Sequence, residues 1–389
     1  MESDLLILIV VGVLSALYLF MILFFLIFWL KQKRFQPSTK TAKEVSVTIV
    51  VPVRNEEKGI KECIESLFNQ TYPKYLYEVI VVDDYSTDDT RKIMREMDIP
   101  ALRLFDLQQY LGNRGEKKPN KKEAISIGIK NAQGDLIITT DGDCLRSENW
   151  LHTMVDYFVN NNYKLITAPV VIKPAFTPLQ ILQQADVMTL MGITAATITA
   201  GKPTMCSGAN LMYAKETFLE LEGFKGNHDV PSGDDIFLMQ KVHEKYADGI
   251  GFVKHFDAAV FTLPEKGLFK FLGQRIRWVS KSVGYANWWV KLQLLFAYLF
   301  NVLVIAAVAY SITKFIYTQE KFALLPGAIA LGSKLFADLI FCIPVFHFFK
   351  KIWLALLLPF IEVLHIFYIS FIGIISLSGR YRWRGRKVS

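Results

Sequence analysis

Two aspartates one residue apart, Asp141 and Asp143, follow an apolar, β-branched run that begins at Leu136. Such a run predicts a buried parallel strand, and open α/β sheets bind ligands at the carboxyl ends of their strands. Two carboxylates at this spacing can approach one hard divalent cation, and Gly142 is expected to leave room for a diphosphate against the backbone. The pattern predicts a site for Mg²⁺ or Mn²⁺ and a phosphate group, although a polar turn produces the same pattern.

Two earlier segments also predict buried strands that end in charged residues. Val45–Val53 precedes Arg54-Asn55-Glu56, with Pro52 expected to end the ladder of hydrogen bonds, and Glu78–Val82 precedes Asp83. Strands that alternate with helices indicate a parallel sheet, so the strand ends should line one edge. The same alternation predicts a third strand over 101–107, a helix over 121–131 and a strand over 166–171.

The first apolar segment, Leu5–Leu30, exceeds the ~20 residues needed to cross a bilayer. It predicts a membrane helix rather than a secretory signal, because its core is too long and no small-residue cleavage site follows. Basic residues collect on the cytoplasmic side, so Lys31–Arg34 predicts an external amino terminus and a cytoplasmic domain after it.

Three further apolar blocks, 292–317, 322–349 and 352–377, precede a basic tail, Arg380–Lys387. Three full crossings would move this tail outside, against the orientation rule. The middle block contains Lys334, Asp338 and two prolines, so we expect it to be broken or re-entrant and the tail to be cytoplasmic. The apolar stretch Thr177–Thr199 is too polar to span and is expected at the membrane surface.

The net charge of +8 does not indicate nucleic acid binding, because much of the excess lies beside the membrane segments. The four cysteines have no zinc-like spacing and are expected to be reduced. Cys144 touches the aspartate turn, but its expected role is that of a small buried side chain.

Six ordered motifs between Ser46 and Ser282 resemble those of family-two glycosyltransferases of the GT-A fold. The resemblance extends to cellulose, chitin and hyaluronan synthases and to ceramide glucosyltransferase, and Tyr85, often Gly in relatives, is a departure from it. The motifs are Val51-Pro52-Val53-Arg54-Asn55-Glu56, Val81 to Asp88, Lys121 to Ile125, Asp141-Gly142-Asp143, Gly233-Asp234-Asp235, and Gln274-Arg275-Ile276-Arg277-Trp278, which is a QxxRW motif.

The resemblance implies an α/β protein in which a GT-A (Rossmann-like) mixed sheet domain is fused to transmembrane α-helices. The expected domains are an amino-terminal transmembrane helix over 1–34, a cytoplasmic glycosyltransferase domain over 35–265, an interfacial QxxRW segment over 266–290 and a carboxyl-terminal membrane domain over 291–389. The expected location is the inner membrane of a bacterial cell.

The resemblance also implies roles for individual residues. Asp143 and Asp141 would hold the metal, Asp235 would be the general base and Asp234 a supporting acid. Lys121 has an alternative as part of a solvated basic face, and Trp278 as a membrane anchor. Cys206–Asn210 is either an acceptor-side loop or a glycine turn. The donor would be bound by Pro52, Arg54, Glu56, Asp83, Lys121 and Asp141, and the acceptor and diphosphate by Gln274, Arg277 and Trp278.

These roles imply inverting transfer from a nucleotide sugar, expected to be a UDP-sugar, to a lipid acceptor at the membrane. Two alternatives stay open. A processive synthase would extend and export a glycan, which the QxxRW motif favours, and a non-catalytic membrane subunit would keep the fold only to bind a nucleotide or partner.

Overall fold

The computed structural model describes residues 2–38, 44–111, 121–226, 233–280, 288–376, 381–383 and 386–388. The chain divides into two compact units. Residues 1–30, 176–196 and 265–389 form one, which we call the helical unit, and residues 31–175 and 197–264 form the other, the sheet unit. Residues 176–196 lie between two segments of the sheet unit in sequence but belong to the helical unit.

The regular elements alternate between strands and helices through the sheet unit and are mostly helical elsewhere. The strands are β1 Val47–Val53, β2 Tyr77–Asp83, β3 Leu102–Asp106, β4 Leu136–Thr139, β5 Leu145–Arg146, β6 Leu165–Thr167, β7 Val170–Ile172, β8 Leu211–Ala214, β9 Ile250–Phe252, β10 Val260–Thr262, β11 Tyr381–Trp383 and β12 Arg386–Val388. The α-helices are α1 Glu2–Lys31, α2 Ile60–Phe68, α3 Thr90–Glu96, α4 Leu107–Leu111, α5 Lys121–Lys130, α6 Trp150–Asn160, α7 Pro178–Thr199, α8 Lys215–Glu220, α9 Asp234–Lys245, α10 Leu268–Ser280, α11 Trp288–Thr318, α12 Leu325–Phe348 and α13 Leu354–Ser376.

The sheet unit is built on a seven-stranded sheet of order β3-β2-β1-β4-β8-β6-β9. β1 pairs in parallel with β2 on one side and with β4 on the other, and β8 is antiparallel to both β4 and β6. The predicted mixed α/β sheet is confirmed. β1, β2 and β4 are buried along nearly their whole length, which explains their continuous apolar sequences.

Two expectations about strands were wrong in detail. Pro52 does not end β1 but lies inside it, opposite Val82, and the strand runs on to Val53. Proline keeps its carbonyl acceptor and lacks only the N–H donor, so the ladder continues past it. The strand expected over 166–171 is two strands, β6 and β7, which belong to different sheets.

Within the helical unit, α1 is antiparallel to α11 and parallel to α12. Asp4, near the start of α1, accepts a hydrogen bond from Tyr310 in the second half of α11 (2.6 Å). Near the end of α1, Trp29 packs edge-on against Phe348, the last residue of α12 (ring centroids 5.5 Å apart). Each of α1, α11, α12 and α13 is long and apolar enough to cross a membrane.

The middle carboxyl-terminal block is not broken. α12 is one continuous helix from Leu325 to Phe348, although it contains Pro344, so the re-entrant interpretation was wrong. Lys334 and Asp338 are buried inside the helical unit, as expected, and form an ion pair one helical turn apart (2.6 Å). Their mutual neutralisation allows both groups to lie in an apolar helix.

Of the apolar helices, α13 differs most from a helix that runs straight from one side of a membrane to the other. Gly373, close to the end of α13, packs against the ring of Tyr298, which lies in the early part of α11 rather than near its far end. The antiparallel hairpin β11–β12 follows, and β11 contacts α10. These contacts favour a basic tail on the side of the bundle where α11 begins, as the orientation rule predicts.

We therefore expect a cysteine at Ser389 to resist a membrane-impermeant thiol reagent in intact cells and to react after permeabilisation. Glu320→Cys, in the exposed turn after α11, is the matched control and should react in intact cells. All four native cysteines are buried, so background labelling should be low. Rapid modification of Ser389→Cys in intact cells would place the tail outside.

Candidate functional site

The carboxyl ends of β1, β2 and β4 lie side by side at one edge of the sheet. In the parallel register, Val53 lies opposite Asp83 and Val50 lies opposite Thr139. The chain therefore delivers Arg54, Asp83 and Asp141 to neighbouring strand ends. The strand order reverses direction at β1, the point where open α/β sheets form a ligand crevice.

Lys121, the first residue of α5, joins this edge to the Gly233-Asp234-Asp235 motif. Its Nζ forms an ion pair with Asp141 Oδ1 at 2.5 Å. Burial alone would lower the pKa of Lys121, but the charges of Asp141, Asp234 and Asp235 outweigh burial and raise the pKa above its usual value. Lys121 is therefore a permanent cation among three acids, rather than part of a solvated basic face.

Asp235 is fixed by backbone donors. Gly233 has a φ of +91° and caps α9, so Asp234 and Asp235 lie in the first turn, where the helix dipole favours negative charge. Asp235 Oδ2 accepts a hydrogen bond from the Gly208 backbone N–H (3.0 Å). The loop over 206–210 thus contacts the acidic motif, which supports the acceptor-side interpretation over that of an isolated glycine turn.

Asn210 fixes the other end of that loop. Its buried side chain donates to the carbonyls of Pro169 (2.9 Å) and Ala258 (2.8 Å) and accepts from Trp150 Nε1 (3.1 Å). Three separate segments of the sheet unit therefore meet at one amide. Nothing in the sequence around Asn210 indicated this role.

Asp83 is buried, and only one of its two carboxylate oxygens has hydrogen-bond partners among the described residues. Oδ2 accepts hydrogen bonds from Arg91 Nε (2.6 Å) and from the Ser86 backbone N–H (3.1 Å). Oδ1 has no hydrogen-bond partner among the described residues. A buried acceptor of this kind costs about 1–3 kcal/mol unless a ligand or water donates to it.

The two loops above β1 and β2 are held in unusual backbone conformations. Asn55 and Tyr85 have φ values of +53° and +56°. Asn55 suits this region, and its Oδ1 accepts a hydrogen bond from the Thr87 N–H (2.8 Å). Glycine suits position 85 without strain, which is the physical reason that Tyr85 is a departure from the family pattern.

Packing requires a glycine at position 142. A Cβ built at this position would lie 2.7 Å from Val53 Cγ1 and 3.4 Å from Glu56 Cγ, so a side chain would collide with the β1 end. That Gly142 also makes room for a diphosphate stays a prediction. Burial, followed by the charges of Asp143 and Asp141, raises the pKa of the Cys144 thiol, which fits the inert buried role.

The described residues contain no group of three or more His, Cys, Asp or Glu side chains arranged to hold a metal. Mg²⁺ is commonly held by one or two carboxylates together with substrate phosphates, so the pair Asp141 and Asp143 suits that mode of binding. Asp141 forms an ion pair with Lys121, and the metal-ligand role of Asp143 stays a prediction.

The QxxRW residues lie on α10 of the helical unit. Gln274 donates a long hydrogen bond to Glu265 (3.4 Å), while its Oε1 is buried with no partner in the described parts of the chain. Arg275 stacks on the ring of Trp278, and its guanidinium carbon lies 4.2 Å from the ring centroid. Arg275 in turn forms a buried ion pair with Asp186 of α7 (2.6 Å).

Sequence reasoning missed the residues that hold others in place. Arg91 binds Asp83, Arg275 orients the Trp278 ring, and buried Arg146 donates to the carbonyl of Cys144 beside the aspartate turn. A charged residue inside an amphipathic or apolar segment was the only available signal, and it did not identify the partner.

Residues 48–221 match the model of Glycosyl transferase family 2. Among curated proteins, the chain is 31% identical over 120 residues to glycosyltransferase AglE of Haloferax volcanii, covering 31% of this chain and 38% of that protein. It is 31% identical over 112 residues to a dolichyl N-acetyl-alpha-D-glucosaminyl phosphate diacetamidodideoxyglucuronosyltransferase of Methanococcus voltae, covering 29% and 33%. The matched regions thus span about a third of the length of these relatives.

The chain also resembles a solved structure over nearly its whole length. The mannosyltransferase PcManGT from Pyrobaculum calidifontis, in complex with GDP-Man and Mn²⁺, superposes with a TM-score of 0.57 over 96% of this chain and 97% of that one. The sequence identity is 18%, so this likeness supports the fold alone.

We predict that Arg275→Met lowers the free energy of unfolding in detergent by about 3–5 kcal/mol, because it leaves Asp186 buried without its cation. Lys225→Met is the control, since the Lys225–Glu222 pair is exposed and should contribute less than about 1 kcal/mol. Equal stability of the two variants would show that the Asp186–Arg275 pair is solvated. The double variant Asp186→Asn/Arg275→Met should recover part of the loss.

Proposed function

We propose that this chain is a membrane-bound glycosyltransferase that moves a sugar from a nucleotide diphosphate sugar to a lipid acceptor, with inversion at the anomeric carbon. The observation that carries the proposal is the convergence of three carboxylates around Lys121 at the carboxyl edge of the sheet. Donor-side Asp141 and acceptor-side Asp234 and Asp235 all act on this one cation. Such an arrangement suits a reaction in which negative charge develops on the leaving diphosphate while the attacking hydroxyl loses its proton.

The unpartnered Oδ1 of Asp83 supports binding of the nucleotide. Uracil and guanine each carry a ring N–H that could donate to this oxygen, whereas the corresponding ring nitrogen of cytosine is an acceptor. Asp83 therefore favours a UDP-sugar or a GDP-sugar over a CDP-sugar. Arg54, whose Nη1 donates to the Asp84 carbonyl (2.7 Å), Pro52 and Glu56 would complete the donor side.

The diphosphate would lie beside Asp141 and Asp143. Asp143, with Asp141, would hold Mg²⁺ or Mn²⁺, which when bound acts as a Lewis acid on the departing diphosphate. Lys121 adds a positive charge that pH changes in the working range do not remove. Its contact with Asp141 keeps that carboxylate oriented while the donor binds.

Asp235 would accept the proton of the acceptor hydroxyl. Its Oδ2 is held by Gly208 and its Oδ1 accepts from the Ile236 N–H (2.9 Å), so the carboxylate has one fixed orientation. A fixed base on the acceptor side supports a single in-line displacement, which inverts the anomeric carbon. Asp234, buried next to it, would support the charge of the site.

The QxxRW residues would act on the acceptor and diphosphate. Gln274 Oε1 is a buried acceptor without a partner among described residues, suited to a sugar or lipid hydroxyl. Arg277 offers a planar fork for phosphate, and Trp278 offers a ring held in place by Arg275. The exposed Trp288 and Trp289 of α11 are better candidates for membrane anchors than Trp278.

A lipid acceptor is favoured because the four candidate spanning helices found among the described residues offer little wall for a glycan channel. The Methanococcus voltae relative, by its name, acts on a dolichyl-linked sugar. Processive synthesis of an exported glycan stays as the second candidate, favoured by the QxxRW motif.

The direct test supplies purified protein or membranes with UDP-, GDP- and CDP-sugars and analyses the products by mass spectrometry. We expect one sugar added to a lipid, from a UDP- or GDP-sugar. A ladder of long glycans would favour the processive alternative. Neither transfer nor donor hydrolysis with any sugar would favour a non-catalytic subunit.

Asp143→Asn should lower transfer by about a hundredfold or more and weaken metal-dependent donor binding, because one ligand oxygen loses its charge. Donor affinity measured with and without Mn²⁺ checks both effects. Asp135→Asn, at the opposite end of β4, is the control and should keep full activity. Undiminished transfer by Asp143→Asn would refute the metal role.

Asp235→Asn should leave metal-dependent donor affinity unchanged while the turnover rate falls by about 10²–10⁴-fold, because a missing base affects rate rather than ground-state binding. The amide oxygen can still accept from Gly208, so the loop should stay in place. Asp248→Asn, exposed beyond the end of α9, is the control. A loss of donor affinity with normal turnover would make Asp235 a donor ligand instead.

A further inference from the structure

Arg146, the last residue of β5, is a buried cation beside the aspartate turn, residues 141–143. It is 8% exposed, and its guanidinium lies over the ring of Trp150 (5.3 Å to the ring centroid). Arg146 forms no ion pair with an acidic side chain in the described parts of the chain. A buried charge without an opposite charge is costly, and the reaction proposed above gives Arg146 no role. Its hydrogen bonds therefore indicate what it does.

The guanidinium of Arg146 donates to residues on both sides of the aspartate turn. Its Nη2 donates to the carbonyl of Cys144, which directly follows Asp143. The same nitrogen donates a longer hydrogen bond to Thr140 Oγ1 (3.5 Å), directly before Asp141. Because the guanidinium is rigid and planar, it can hold two acceptors at a fixed separation. Arg146 thus fixes the chain at both ends of the turn.

Two cysteines extend these contacts to the aspartates themselves. The Cys144 N–H donates to the Asp141 carbonyl (3.2 Å), and the Cys144 thiol donates to Asp143 Oδ1 (3.6 Å). The Cys63 thiol, on α2, also donates to the Asp141 carbonyl (3.6 Å). Arg146 in turn donates to the Cys63 carbonyl (3.5 Å) and to the Cys63 sulfur (3.7 Å). Each aspartate is therefore bonded to a residue that Arg146 holds.

Arg103 shows what an arginine with a purely structural role looks like in the same unit. It lies over the Phe105 ring (5.6 Å) near the amino end of β3, and it is paired with Glu78 (2.6 Å). Arg146 has no such acid, and its donors go to the residues that flank two carboxylates. Hydrogen bonds of this kind, one step behind a ligand, orient the ligands of metal sites.

We propose that Arg146 is a positioning residue for the metal, which holds the aspartate turn in one shape before Mg²⁺ or Mn²⁺ binds. This inference rests on the proposed function, in which Asp143, with Asp141, holds the metal. Ligands that are ordered in advance lose less conformational freedom when they bind. Loss of the Arg146 contacts should therefore weaken the metal-dependent part of donor binding and leave the metal-independent part unchanged.

The test measures the affinity of the purified protein for UDP and for GDP, each in Mn²⁺ and in EDTA. The ratio of the two affinities isolates the contribution of the metal. Arg146→Lys keeps the charge and loses the planar fork, so we expect this ratio to fall about tenfold, as for other lost partners of metal ligands. Affinity in EDTA should stay at the wild-type value. Arg103→Lys is the matched control and should keep the wild-type ratio.

A second measurement needs neither metal nor activity. Cys144 is buried, and a turn that Arg146 no longer holds should open it to N-ethylmaleimide. In EDTA, Cys144 of Arg146→Lys should be modified faster than Cys144 of wild type or of Arg103→Lys, as located by mass spectrometry. Thr140→Val removes one acceptor only, so it should shift both measurements less, in the same direction. It serves as the test variant if Arg146→Lys does not fold.

The proposal is overturned if folded Arg146→Lys keeps the wild-type ratio, even at lower thermal stability, because Arg146 would then be only structural. It is also overturned if Arg103→Lys lowers the ratio as much as Arg146→Lys. If Mn²⁺ does not raise the nucleotide affinity of wild type, the metal role of Asp141 and Asp143 itself falls, and this inference falls with it. That last result is read from wild type alone, so the two failures are distinguishable.

Discussion

The ion pair between Lys121 and Asp141 is the contact on which the arrangement of the sheet edge depends. Acids delivered to one edge by separate motifs repel one another, and Lys121 is the cation that the described structure places among Asp141, Asp234 and Asp235. One positive charge among these three carboxylates leaves an excess of negative charge around Lys121. That excess makes the edge attractive to a divalent cation and, through it, to a diphosphate.

Charged groups must also be neutralised in the helical unit, where their surroundings are apolar. In water, charges of this kind are screened, but in an apolar bundle they must be paired or the helices do not fold together. Lys334 meets carboxylates from both α12 and α13, and Arg275 ties α10 to α7. These ion pairs fix the register of the helices relative to one another. Contacts between apolar side chains alone would not specify one register.

The predicted base and metal ligands belong to the sheet unit, and the QxxRW residues belong to the helical unit. Within the sheet unit, positioning depends on buried polar residues such as Arg91, Arg146 and Asn210, each of which holds a strand end or loop rather than contacting a substrate.

The sequence by itself determined the mixed α/β sheet, the membrane helices and the acidic strand ends, because continuous apolar runs and the residues that follow them are local patterns. It also predicted that Lys334 and Asp338 are buried, since their charges interrupt an apolar block. It did not predict that α12 is continuous, because a proline and an ion pair look the same in sequence whether or not neighbouring helices compensate for them.

Only the tertiary structure decided which charges meet. Lys121, at the start of α5, could have been one more solvated lysine, and its partner Asp141 lies twenty residues later, just after β4. Arg275 pairs with Asp186 on α7, far away in sequence. The sequence also did not show that a side chain at position 142 would collide with Val53. Such pairings depend on distances between elements that are remote in the chain, and a single sequence contains no measure of those distances.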